Sequence, residues 1–274
     1  MEAFICKTCG VQHRPSPEPP DRCIICDDER QYVGWQGQEW TTLGEMRAQG
    51  YANELREHER GLSGIATRPH FAIGQRALLV QTSGGNLLWD CITYVDDETV
   101  ARVRQLGGIQ AIAASHPHFY GSMVEWSLAF GGAPVYVPEA DAQWAVRRDS
   151  DVRYWSGSRE VLPGLTLIQC GGHFEGSAVA HWPDGAEGRG VLLTGDTIAV
   201  AQDRRYVTFM RSYPNYIPLP VPAIEGIVNA VAGYRFDRIY GGWWTSVVSD
   251  GAYEAVRRSA ERYVRWIDAS SPDG

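Results

Sequence analysis

Three apolar segments of this 274-residue chain each end at side chains that can bind a metal. IQAIAAS leads to His116 and His118, LTLIQCGG leads to His173, and VLLTG leads to Asp196. Each segment has the length and composition of a buried strand, and functional side chains are commonly placed where strands end. In extended backbone His116 and His118 project to the same side. We therefore expect one metal site of three histidines and an aspartate at a sheet edge.

Two CxxC pairs lie within the first 26 residues, Cys6 with Cys9 and Cys23 with Cys26. Each CxxC turn offers two thiolates, and two such turns complete a tetrahedral site with four sulfur ligands. The connecting segment is rich in proline and too short to build a core, so we expect the metal to supply the folding free energy. Structural Zn²⁺ is the expected ion, and iron is the alternative because four thiolates bind both metals.

The cysteine spacing resembles that of a zinc ribbon or a rubredoxin-type knuckle. Asp27 stands where rubredoxins generally have glycine, which favours structural zinc over a redox iron. Four cysteine ligands leave no position for water, so the knuckle is expected to serve structure or docking and not catalysis. We divide the chain into a four-cysteine zinc-binding knuckle over residues 1–32 and a larger domain over residues 33–274, whose motifs are described below.

The amino-acid composition limits which classes of binding partner are expected. The net charge is −8 and Lys7 is the only lysine, which argues against nucleic acid as a partner. No apolar run approaches the roughly 20 residues of a membrane-spanning helix, and the N-terminus lacks the pattern of a secretory signal. We expect a cytoplasmic protein with a small-molecule substrate and no membrane contact. Whether it forms a homo-oligomer is left open.

The pattern along the chain predicts helices and strands in alternation. We expect a helix near residues 43–59 capped by Thr42, then two strands around the turn at residues 83–86. Helices are predicted over ETVARVRQLGG, SMVEWSLAFGG and EADAQWAVRR, and near residues 223–233 and 251–267. Strands are predicted over APVYVP, on both sides of the His173 loop, in GVLLTGDTIAVA up to a loop at Asp196, and over FDRIYGGWW. This order is typical of an α/β protein whose sheets are covered by helices.

The segments SHPHFYGSMVEWSLAFGGAPVYVP, GGHFEGSAVAHW and VLLTGDTIA resemble, in order and separation, successive motifs of the metallo-β-lactamase superfamily. The preceding NLLWDC places Asp90 where that family has its first aspartate. The resemblance spans roughly residues 65–250. It implies an αββα sandwich, of the α/β (α+β) class, with the site at the edge where both sheets end.

The resemblance also implies a ligand set. The ligands of the first metal and the bridging aspartate are present, as His116, His118, His173 and Asp196. Tyr120 and Gly121 stand where the family has the aspartate and histidine of a second metal. No histidine follows His181, and residues 241–244 occupy the segment of the last ligand. Since every residue private to the second metal is missing, we expect a mononuclear site with one Zn²⁺ or Fe²⁺.

Three histidines on one divalent cation with an open position form a hydrolytic arrangement, because the metal makes hydroxide available near neutral pH. Asp196 is expected to act as a ligand or as the general base. Tyr120 is expected to donate a hydrogen bond to a developing oxyanion, or else to fill the volume of the second metal. The predicted activity is cleavage of an ester, thioester or lactone.

Two alternatives stay open. His116, His173 and Asp196 form a two-histidine, one-carboxylate set that suits ferrous iron and oxygen chemistry, as in persulfide dioxygenases. Those enzymes generally keep the HxHxDH pattern that this chain lacks. The other alternative is a non-catalytic binding protein of the same fold, with the knuckle as its docking element.

Overall fold

The computed structural model describes residues 1–268, which form nineteen strands and six α-helices. The strands are β1 (Ile5–Cys6), β2 (Trp40–Thr41), β3 (Ala52–Glu59), β4 (Leu62–Arg68), β5 (Arg76–Thr82), β6 (Gly85–Trp89), β7 (Ala111–Ala113), β8 (Val135–Pro138), β9 (Val152–Trp155), β10 (Ser158–Leu162), β11 (Leu165–Gln169), β12 (Ala178–Trp182), β13 (Val191–Leu193), β14 (Ala199–Val200), β15 (Val207–Thr208), β16 (Met210–Ser212), β17 (Ile217–Pro218), β18 (Arg238–Tyr240) and β19 (Val247–Val248). The α-helices are α1 (Leu43–Ala48), α2 (Asp97–Gln105), α3 (Met123–Ala129), the single turn α4 (Gly185–Gly188), α5 (Val221–Val231) and α6 (Ala252–Ile267). Two 3₁₀ helices cover Pro117–Phe119 and Glu139–Trp144.

The first large sheet has the strand order β3-β4-β5-β6-β7-β8-β9. Strands β3 to β6 form an antiparallel meander, whereas β6 to β9 pair in parallel. The register between β6 and β7 places Trp89 beside Ala113. Asp90, directly after β6, and Ser115, two residues after β7, therefore lie at the same edge of the sheet.

The second large sheet has the strand order β10-β11-β12-β13-β18-β19. All neighbours are antiparallel except β13 and β18, where Leu193 lies beside Tyr240 in a parallel pair. The loop after β13 carries Asp196, and the loop after β18 begins at Gly241. Parallel pairing thus brings both loops to one edge of the second sheet.

The core is divided into layers. One apolar cluster lies between the two sheets and includes Trp89 of the first sheet and Leu193 of the second. A second cluster joins the outer face of the first sheet to α2 and α3, and a third joins the outer face of the second sheet to α5 and α6. This arrangement confirms the predicted αββα sandwich. None of the helices within residues 1–268 is both long enough and apolar enough to cross a bilayer.

The N-terminal knuckle packs into the cluster on the outer face of the first sheet. All four cysteines are buried there, together with Ile92 and Met123 of the larger domain. The backbone N–H of Gln12 donates to the carbonyl of Gly121 (3.0 Å), and the Thr93 hydroxyl donates to the carbonyl of Gly10 (2.7 Å). The two segments share one core in the fold. The domain boundary at residue 32 therefore stays a prediction made from the sequence.

The prediction of a helix near residues 43–59 is wrong beyond Ala48. Thr42 caps α1 as expected, since its hydroxyl accepts from the N–H of Glu45 (3.1 Å) and the Glu45 carboxylate accepts from the N–H of Thr42 (3.2 Å). Gly50, at φ +78°, ends the helix in a left-handed conformation. The edge strand β3 begins at Ala52 and pairs with β4. The sequence pattern predicted neither of these two strands. The predicted helix over EADAQWAVRR is a 3₁₀ helix that ends at Trp144.

Candidate metal centre

His116 is oriented by a hydrogen-bonded chain from the end of β6. The Asp90 carboxylate accepts from both the N–H (2.7 Å) and the hydroxyl (2.8 Å) of Ser115, and that hydroxyl lies 2.9 Å from His116 Nδ1. Because the hydroxyl hydrogen points to Asp90, Ser115 accepts from Nδ1–H. This tautomer leaves the lone pair of His116 Nε2 available for a metal. Gly195 permits the arrangement, since a Cβ there would lie 2.0 Å from Ser115 Oγ.

His118 and His173 face each other across the end of the sandwich. His118 lies in the 3₁₀ helix after His116, and His173 lies in the loop between β11 and β12. The carbonyl of Met210 accepts from His173 Nδ1–H (3.0 Å), which turns Nε2 toward His118 Nδ1 at 3.4 Å. Two nitrogens at about 2.05 Å from a tetrahedral zinc would be about 3.3 Å apart. The separation therefore fits two ligands of one ion.

The three imidazoles converge on one point. One ring nitrogen from each of His116, His118 and His173 lies within 4.8 Å of the others, and all three side chains are buried. Burial, followed by neighbouring imidazoles, holds the pKa of His116 and His118 well below the ordinary value, and burial lowers the pKa of His173 to about 4. Neutral imidazole is the form that binds metals. The buried Nε2 of His116 has no hydrogen-bond partner within the described chain, as expected of a metal ligand.

Asp196 lies next to the three imidazoles, at a distance somewhat longer than a hydrogen bond. Its Oδ2 is 3.8 Å from His116 Nε2, and its buried Oδ1 has no hydrogen-bond partner in the described residues. Burial, with a smaller contribution from Asp90, raises the pKa of Asp196 to about 7. A nearby cation would stabilise the carboxylate that burial disfavours. The residues present thus fit one divalent ion held by three histidines, with Asp196 able to join them.

Aromatic rings lie beside His116 on the side that faces residues 242–243. The Phe119 ring lies 4.4 Å from the His116 ring and 5.8 Å from the Trp243 ring, centroid to centroid. A Cβ on Gly242 would come within 2.8 Å of Phe119. A Cβ on Gly121 would lie 2.7 Å from the carbonyl oxygen of Cys91, so no histidine fits at that position.

Tyr120 packs into the core cluster that contains the knuckle cysteines. Its side chain is buried, and within residues 1–268 its hydroxyl has no hydrogen-bond partner. No ring contact or hydrogen bond in that range joins it to the three histidines. Burial raises the pKa of Tyr120 well above its ordinary value, with a smaller contribution from Asp141. The phenol is therefore neutral, and its catalytic role stays a prediction.

The four knuckle cysteines form a second cluster. Cys6 Sγ lies 3.5 Å from Cys26 Sγ, Cys9 Sγ lies 3.7 Å from Cys23 Sγ, and no disulfide joins them. Sulfurs at about 2.3 Å from a tetrahedral zinc would be about 3.8 Å apart. Gln38 bridges the two CxxC turns, because its amide donates to Cys6 Sγ (3.2 Å) and accepts from the N–H of Cys23 (3.2 Å). The geometry fits one metal with four thiolate ligands.

Several residues around the histidines were not identified from sequence. Ser115 links Asp90 to His116. The Tyr213 ring lies 5.6 Å from the His173 ring, and its hydroxyl donates to the carbonyl of Asp196 (3.0 Å). Ser115 directly precedes the HxH motif and could have been found there. Tyr213 lies in the turn between β16 and β17, where the sequence pattern carried no functional signal.

Asp141 gives a testable pH dependence outside the ligand set. Burial raises its pKa from 3.8 to about 7, although its Oδ1 accepts from the N–H of Gly176 (2.9 Å). The folded state therefore binds a proton more tightly than the unfolded state between about pH 4 and pH 7, and this contribution to stability is lost as pH rises through that range. Asp141→Asn keeps the acceptor and removes the titration.

As pH rises from 5 to 8, we expect the free energy of unfolding of Asp141→Asn to increase by about 1–3 kcal/mol relative to that of the wild-type protein. The measurement is denaturant unfolding of both proteins at the two pH values. Comparing the two proteins cancels the pH dependence of metal binding, which they share. Identical pH profiles would contradict the buried-carboxylate explanation.

Comparisons with known proteins agree with this architecture. No protein-family model matches the chain. The uncharacterized protein YmaE of Bacillus subtilis strain 168 is 50% identical over 271 residues, which cover 98% of each chain. Among solved structures, VMB-1 superposes with a TM-score of 0.59 at 14% identity, over 79% of this chain and 98% of its own. The DIM-1 metallo-β-lactamase superposes with a TM-score of 0.58 at 13% identity, over 77% of this chain and 97% of its own. The chain therefore belongs to the same family as YmaE, and its fold is that of the metallo-β-lactamases.

Proposed function

We propose that this protein is a metal-dependent hydrolase with a mononuclear site, which cleaves an ester, thioester or lactone. The observation that carries the proposal is the convergence of three buried, neutral imidazoles, with His118 Nδ1 and His173 Nε2 3.4 Å apart. His116, His118 and His173 would hold the ion, either Zn²⁺ or Fe²⁺. Such an ion supplies a bound water of lowered pKa and an electrophile for a carbonyl oxygen.

A single ion is supported by what surrounds the histidines. Phe119 and Trp243 fill the adjacent space with apolar rings, and the backbone of residues 91–92 excludes a side chain at position 121. The aromatic rings and the backbone beside position 121 would both have to move before a second ion could be held as in the dinuclear pattern.

Asp196 is proposed as the general base. Its Oδ2 lies 3.8 Å from His116 Nε2 and its Oδ1 has no partner among the described residues, so this carboxylate would be free to accept a proton from a water held at the site. The Tyr213 hydroxyl holds the backbone carbonyl of Asp196 and limits movement of the carboxylate. The oxyanion role of Tyr120 is retained as a proposal, and it requires the phenol to leave the cluster with the knuckle cysteines.

The activity is tested with zinc-loaded and iron-loaded protein on a panel of p-nitrophenyl esters, acyl thioesters and lactones. We expect turnover of at least one class, and a loss of about 10²- to 10⁴-fold in kcat for Asp196→Asn, because proton transfer by a positioned base contributes that much. Asp203→Asn is the matched control, since Asp203 pairs with Arg205 on an exposed loop.

The outcomes separate the alternatives. Fully metal-loaded protein that turns over none of these substrates contradicts the hydrolase proposal. Oxygen consumption by the iron form with a glutathione persulfide would instead indicate the dioxygenase.

A further inference from the structure

Arg30 connects the knuckle to the loop that carries His173. It follows Cys26 by four residues, and its side chain is only 4% exposed. The guanidinium donates two hydrogen bonds to Asp28 (2.9 and 3.0 Å) and two to Glu175 (2.9 and 3.1 Å). One guanidinium nitrogen contacts each carboxylate, and charge-assisted hydrogen bonds of this length are stronger than neutral ones. Arg30 therefore ties Glu175, two residues after His173, to the segment that follows the second CxxC turn.

The same guanidinium lies over the ring of Phe174, 4.3 Å from its centroid. That ring contacts all three imidazoles, with centroid distances of 6.0 Å to His116, 5.0 Å to His118 and 5.1 Å to His173. A shift of Phe174 would thus disturb each ligand of the site. Arg30 covers the ring and limits such a shift.

The backbone around Arg30 also holds the second loop at the site. Its carbonyl accepts from the Ser212 hydroxyl (3.0 Å), and Asn215 donates to the carbonyls of Glu29 (2.8 Å) and Gln31 (2.9 Å). Residues 210–215 include the Met210 carbonyl that orients the His173 ring. The segment after Cys26 therefore contacts both loops that set the position of His173.

We propose that Arg30 is a positioning residue for the metal site, and that the knuckle serves that site through it and not a separate docking partner. The inference rests on the proposed metal binding by His116, His118 and His173. It goes beyond the hydrolase proposal because it assigns the purpose of the N-terminal segment. It also gives Phe174 a defined part, as the surface through which Arg30 acts on the ligands.

The test measures metal affinity at the histidine site of the full chain. The cysteine site is first filled with one equivalent of zinc, and cobalt is then titrated against a competing chelator while visible d–d absorption is recorded. We expect Arg30→Met to weaken cobalt binding by about 10-fold and to change the d–d spectrum. Loss of a direct partner of a metal ligand costs about 10- to 100-fold, and Arg30 acts one contact further out, through Phe174 and Glu175. Arg30→Lys should recover part of the affinity, because its ammonium can still pair with Glu175 and hold the loop of His173.

A second variant guards against misfolding. Glu175→Gln removes the charged clamp at a side chain that is 58% exposed, and it should weaken cobalt binding in the same direction. Arg22→Met is the control, because Arg22 lies between the CxxC pairs but its side chain is 74% exposed. Wild-type affinity and spectrum in both Arg30→Met and Glu175→Gln would overturn the inference, whether or not hydrolysis is found. A wild-type chain that binds no cobalt at the histidines would instead overturn the proposed site.

Discussion

The double variant His116→Ala, His118→Ala is expected to lose one of two bound metal ions. The wild-type chain should contain about two metals, one held by four thiolates and one by three imidazoles, because each cluster has the ligand spacing of a single ion. The variant should keep the ion of the cysteine site. Hydrolysis should fall by about 10³-fold or more, since the metal supplies several kcal/mol of transition-state stabilisation.

Metal content by atomic emission and the rate on the best ester substrate are measured on the same preparation. His70→Ala is the matched control, because His70 is exposed and lies outside both clusters. If emptying the buried site prevents folding, His118→Gln alone preserves most of the side-chain volume. A wild-type protein with one metal, retained in full by the double variant, would contradict the histidine site.

Replacing Cys9 and Cys23 with serine is expected to unfold the chain or to lower its melting temperature by more than about 15 °C. A structural metal site contributes roughly 10–16 kcal/mol in small metal-binding peptides, which equals or exceeds the net stability of an ordinary domain. Here the effect should reach the larger domain, because both cysteines share one apolar cluster with Ile92 and Met123.

The melting temperature is followed by circular dichroism, with metal content as the second readout. Cys170→Ser is the control, since Cys170 lies outside the four-cysteine cluster and its thiol donates to the carbonyl of Ile168. A Cys9→Ser, Cys23→Ser variant that melts like the wild-type protein would show that the knuckle folds without its metal.

Much of the candidate site was predictable because its proposed ligands lie close to strand ends in sequence. His116 follows β7 by three residues and Asp196 follows β13 by three, so short apolar runs located both. Glycines at the turns added to the signal, as Gly195 does by allowing Ser115 to approach. The cysteine cluster was predictable from the spacing within and between its two CxxC pairs.

Other predictions failed where tertiary pairing outweighed the local pattern. Residues 52–59 are polar and charged enough to suggest a helix, yet they form an edge strand whose partner is β4. An edge strand exposes many of its side chains, so it lacks the clean alternation of a strand with one buried face. The apolar signal of this strand was therefore too weak to identify it.

The sequence alone determined the fold class and the two groups of side chains that can bind a metal, and its resemblance to the superfamily indicated that residues of a second metal site are replaced. Only the tertiary structure decided that Tyr120 lies in the core cluster, that Phe119 fills the space beside His116, and that Arg30 contacts the histidine site. Ligand types and strand ends are local properties, which spacing along the chain records. The direction of a buried side chain and contacts across 145 residues, as between Arg30 and Glu175, depend on how distant segments pack together.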